Sequence, residues 1–86
     1  MANRATGKVA RIFATSGRVY VRLADLPADS TPKDGYFQLA QEHPNYDAIY
    51  SLALAAAVNR YDLQIRTVDE IVPTEYAAVQ YMVVSW

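Results

Sequence analysis

The alternation of apolar and polar positions is clearest over Arg18–Leu23, where Val19, Val21 and Leu23 interleave with Arg18, Tyr20 and Arg22. A period of two predicts a strand with one buried and one wet face. Lys8–Thr15 before it is rich in Val, Ile, Phe and Ala, and Ser16-Gly17 separates the two runs, so together they read as a hairpin. Between residues 24 and 34, Pro27 and Pro32 stand among Asp25, Asp29, Ser30, Thr31 and Asp34. Proline removes a ladder donor, which predicts a surface loop. Gly35–Ala40 reads as a short third strand, closed by His43-Pro44. Asn45 then suits an N-cap whose side-chain oxygen accepts from the free amides of the following turn.

From Tyr46 a helix of about fifteen residues is predicted, because strong helix formers follow with no Gly or Pro before Tyr61. Its apolar positions fall into two stripes, one of Ile49, Ala53, Ala56 and Ala57 and one of Tyr50, Leu54, Val58 and Tyr61. Two stripes imply two surfaces to cover. Leu63–Val68 alternates again and predicts a fourth strand, followed by a loop holding Pro73. Tyr76–Trp86 predicts a fifth, central or at an interface, since Val79-Tyr81-Val83 and Met82-Val84-Trp86 are both apolar. Residues 1–6 carry no such pattern and are expected to be flexible.

Composition narrows the class. At 86 residues with 52% hydrophobic and 20% charged, the chain is one small folding domain, residues 1–86, too short for two lobes around a cleft. So short a domain buries only about 60% of the surface its unfolded chain exposes, which makes a homo-oligomer worth expecting. There is no cysteine, and so no disulfide, thiolate zinc site or thiol nucleophile. Nowhere do apolar residues run on for the length of a membrane span, and the chain reads as cytoplasmic, or as secreted if a leader has been removed. The net charge of −1 hides an uneven layout: Arg4, Lys8, Arg11, Arg18 and Arg22 precede the first acid, while all nine acids lie beyond residue 23. Such a layout can steer an anionic partner, or can dock one copy's basic region against another's acidic one.

Three strands, a helix and two strands is the succession of small five-stranded barrels of the oligonucleotide/oligosaccharide-binding (OB) type, a mainly β member of the α+β class with its helix between strands three and four. Within that class the chain resembles the B subunits of bacterial AB5 enterotoxins. The resemblance covers residues 35–86 and lies in the helix at 46–61, Leu63-Gln-Ile-Arg66, the loop at Pro73 and Ala77-Ala-Val-Gln-Tyr-Met82. It implies a ring of five copies that binds cell-surface sugars. Those subunits carry a cysteine pair that this chain lacks.

The strongest candidate chemistry is Arg18, Tyr20 and Arg22 on the wet face of one strand, with Arg11 and Phe13 as neighbours in the hairpin. Guanidinium groups interleaved with rings suit a single-stranded nucleic acid, the cations meeting phosphates and the rings stacking on bases. Among the seven tyrosines, Tyr36 and Tyr46 are the least easily buried, and flat rings with polar tips also serve glycan or protein partners. A non-catalytic module recognising a glycan or protein is therefore expected, with nucleic acid as the alternative. His43, alone and followed by proline, is expected to help the chain enter the helix rather than to ligate or catalyse. Asp25, Asp29 and Asp34 lack calcium-loop spacing, no phosphate-cradling glycine loop is present, and no cofactor is expected.

Overall fold

A computed structural model describes residues 2–86. It contains six strands and one α-helix: β1 (Arg4–Gly7), β2 (Val9–Thr15), β3 (Arg18–Leu23), β4 (Tyr36–Ala40), α1 (Tyr46–Asn59), β5 (Asp62–Thr67) and β6 (Ala77–Ser85). They form one sheet in the order β1-β5-β6-β4-β3-β2, in which only the short β4–β6 pairing is parallel. The mainly β, α+β class and the position of the helix agree with the sequence pattern. The strand count and the closure do not: there are six strands rather than five, and no ladder joins the edge strands β1 and β2.

The reason lies at Gly7-Lys8. β1 and β2 stand at opposite edges of the sheet, yet only Lys8 separates them in the chain. Gly7 pairs with Leu63 of β5, whereas Val9 pairs with Leu23 of β3, so the chain leaves one neighbour and joins another within two residues. The corner is tight. A Cβ on Gly7 would lie 3.0 Å from the Ala24 carbonyl oxygen, and the Ala24 amide donates to the Lys8 carbonyl at 2.9 Å. Arg4–Gly7 is thus a strand whose first three residues fall in the stretch expected to be flexible; Met1 lies outside the described residues.

The hairpin forms at Ser16-Gly17, where Gly17 supplies the left-handed φ of 83° that the turn requires. Val19, Val21 and Leu23 are buried, as their alternation predicts, together with Phe37 and Leu39 of β4 and Leu63, Ile65 and Thr67 of β5. Ile49, Ala53 and Ala56 of α1 close over this core, so the small-residue stripe is the inward one. In β6 the expected grouping is broken. A register shift against β5 leaves Gln80 without a partner, which puts Val79 and Met82 on the inner face and leaves Tyr81 and Val83 exposed.

Asn45 does precede the helix, but its side chain makes no capping bond. Its backbone N–H instead donates to Nδ1 of His43 at 3.0 Å. Since Nδ1 accepts, the neutral ring carries its proton on Nε2, which donates to the Gln80 carbonyl at 2.8 Å. At the other end Arg60 adopts the left-handed conformation, φ 60° and ψ 33°. The loop at 24–35 is ordered by two 3₁₀ turns, Ala28–Ser30 and Lys33–Gly35, and the Lys33 amide donates to the Glu75 carbonyl at 2.9 Å, tying it to the loop before β6.

Candidate functional site

Antiparallel register gathers the site. Directly opposite residues share a face, and the pairs Phe13–Tyr20, Arg11–Arg22, Tyr20–Gln38 and Arg22–Tyr36 place these side chains together on the outer face of β2, β3 and β4. Phe13 and Tyr20 stack at 4.8 Å between centroids and 21° between planes. Tyr36 meets Phe13 edge-on at 5.3 Å, and Tyr76, from the loop before β6, meets Tyr20 at 5.4 Å. The four rings form one contiguous aromatic surface. Phe13 and Tyr76 are exposed, while Tyr20 and Tyr36 are half-buried beneath their neighbours.

Cations rim that surface. The Arg11 guanidinium lies 5.8 Å from the Phe13 centroid, that of Arg22 lies 5.9 Å from Tyr36, and the Lys33 ammonium lies 5.3 Å from Tyr76. Arg18, two residues before Tyr20 on β3, is exposed on the same side. None of the four joins an ion pair among the described residues. The single salt bridge among the described residues is Lys8–Asp62 at 2.8 Å, outside this face. Arg11 and Arg22 are moreover direct cross-strand neighbours of like charge, an unfavourable arrangement unless an anion comes between or beside them. Gly35 pins Arg22 from below: a Cβ there would lie 3.2 Å from Arg22 Cγ, and Gly35 also needs its φ of 78°. Beside Arg22 opens a hollow of about 400 Å³, whose lining includes Leu23, Asp25, Leu26, Thr31 and Gly35.

Four of the five candidates from the sequence, Arg18, Tyr20, Arg22 and Tyr36, therefore share one face. Tyr46 is elsewhere. It lies at the start of α1, with its ring 6.1 Å from that of Tyr50 and partly buried against the core. Its place is taken by Tyr76 and Lys33, which the sequence pattern did not single out. Both reach the face from loops, through the Lys33–Glu75 backbone bond, and no local periodicity marks them. Asp25 and Asp34 are exposed in the 24–35 loop with positive φ, and among the described residues no three potential metal ligands come together.

This face offers stacking and positive charge. It suits a ligand that is flat and anionic at once. Comparison with protein-family profiles, curated proteins and solved structures found no match. Among the described residues, no helix is long and apolar enough to cross a membrane.

Proposed function

We propose that this protein is a non-catalytic binding module that takes single-stranded nucleic acid across β2, β3 and β4. The observation that carries this reading is the cluster of Phe13, Tyr20, Tyr36 and Tyr76 rimmed by Arg11, Arg18, Arg22 and Lys33, none of them ion-paired. Bases of any sequence stack on exposed rings, a contact worth about 1–3 kcal/mol per base, and guanidinium groups at ring spacing meet the phosphates between them. A neutral glycan would use the rings but leave four cations idle. The overall charge of −1 does not oppose the proposal, because attraction depends on where the cations lie.

The fold supports the same reading. With β1 and β2 taken as two halves of one bent first strand, the order β1-β5-β6-β4-β3-β2 starts and ends on that strand. On this reading the arrangement is of the OB type, with the covalent chain at Lys8 standing where a ladder would close the seam. In barrels of that type the middle strands are a nucleic-acid platform.

The test is fluorescence anisotropy with a mixed-sequence single strand, its duplex and a glycan array in parallel. Tight single-strand binding that weakens with salt is expected, with log K falling by about 3 per decade of salt if four phosphates are neutralised. Binding that ignores salt, or survives alanine at Arg18, Tyr20 and Arg22 together, overturns the proposal. Glycan binding without nucleic-acid binding would do the same.

A further inference from the structure

The outward face of α1 is unusual for a helix in water. Only Asp47 among its fourteen residues is charged. Ile49, Ala53 and Ala56 point into the core, so at 100° per residue the opposite side carries Asp47, Ser51, Leu54 and Val58 as one ridge, with spacings of four, three and four. Leu54 is 42% exposed and Val58 79%. At the C-terminal end of the helix the ridge runs on to Tyr61, whose ring stacks on Trp86 at 5.7 Å, and Trp86 itself is 91% exposed. Leu54 and Val58 thus leave an apolar patch on the side away from the core, and a helix hydrophobic on more than one side is ordinarily buried on each.

We infer that a second copy of this chain covers this ridge, in an antiparallel helix pair about a two-fold axis at Leu54. The face is self-complementary in that arrangement. Reversing one helix lays Leu54 on its copy, while the Asp47 end of one helix meets the Arg60 end of the other. Asp47 and Arg60 are both exposed, and neither forms an ion pair among the described residues. Antiparallel packing also opposes the two helix dipoles, and Ala48, Ser51 and Ala55 are small enough to let the helices approach. A parallel pair would instead bring Asp47 against Asp47 and Arg60 against Arg60. A separate acidic or basic partner would find little charge on this ridge to recognise. The basic aromatic face lies on the outer wall of β2–β4, away from the α1 ridge, and a dimer would carry two such faces.

Light scattering after size exclusion tests this without any ligand, so its outcome is separate from that of the nucleic-acid proposal. Twice the chain mass is expected at high micromolar concentration. Leu54→Glu and Val58→Glu should each return the single-chain mass with an unchanged circular dichroism spectrum, since both side chains are exposed. The chain has no cysteine, so Leu54→Cys provides an independent measurement on an otherwise unaltered surface: a short bismaleimide should join two copies through it, while Asn59→Cys at the helix end should not be joined. A single-chain mass at high micromolar concentration overturns the inference. So does a dimer that persists in both glutamate variants, or one whose Leu54→Cys form is not cross-linked.

Discussion

His43 and Gln80 are joined by a 2.8 Å hydrogen bond from the imidazole Nε2 to the backbone carbonyl, and Gln80 is the residue that the register shift in β6 leaves without a strand partner. A bulge frees a carbonyl, and the free carbonyl recruits a donor from the loop that starts α1. Nδ1 of the same ring accepts from Asn45 N–H, so one side chain serves both the sheet and the helix start.

Replacing His43 by alanine should therefore cost about 1–2 kcal/mol, two hydrogen bonds being lost at a partly exposed site. Urea unfolding followed by circular dichroism measures this. A midpoint equal to wild type would show that water replaces the ring at no cost.

Tyr20 is the centre of the aromatic face, touching the rings of Phe13, Tyr36 and Tyr76. Tyr20→Phe keeps every ring contact and should leave single-strand affinity within about twofold, whereas Tyr20→Leu removes the ring on which Phe13, Tyr36 and Tyr76 pack and should weaken it roughly tenfold or more. Equal affinity in both variants would place the bases elsewhere.

Arg22→Gln removes a cation flanked by Arg11 and Tyr36. The expected signature is a salt dependence shallower by about 0.7 in log–log slope, the share of one phosphate on a single strand. Anisotropy titrations at several salt concentrations read it directly. An unchanged slope with weaker binding would mean that Arg22 acts by packing on Tyr36 rather than on phosphate.

Arg60 ends α1 with a φ of 60°, a region that costs an L residue about 1 kcal/mol and glycine almost nothing. Arg60→Gly should raise stability by roughly 0.5–1 kcal/mol in urea. Loss of stability would show that the Arg60 side chain contributes more than its backbone costs, and a fall in dimer content with intact folding would agree with its place opposite Asp47.

Arg4 and Arg66 face each other across β1 and β5, and Nε of Arg66 is buried with no acceptor. Like charges in register oppose pairing, so Arg4→Glu should stabilise the fold by about 0.5–1 kcal/mol at low salt and by less at high salt. Thermal melts at two ionic strengths check this. No gain at low salt would mean that the two side chains diverge from their shared face.

What was legible in the amino-acid sequence is what short-range pattern can carry. The hairpin, the inward set of β3, the helix and the inward set of β5 follow from periods of 2 and 3.6, because burial on one side of a regular element repeats at its own pitch. Arg18, Tyr20 and Arg22 were visible on one face for the same reason. Tertiary structure decided the rest. Arg-Ala-Thr-Gly has no alternation that marks a strand, and β1 exists because β5 lies alongside to pair with it. The phase change at Gln80 depends on how β6 meets β5, and Tyr76 and Lys33 join the aromatic face through a bond between two loops distant in the chain. Tyr46, by contrast, was drawn against the core by the direction in which α1 docks. Periodicity records which side of an element avoids water; which elements then become neighbours is settled by contacts between residues far apart in sequence, and no local pattern encodes them.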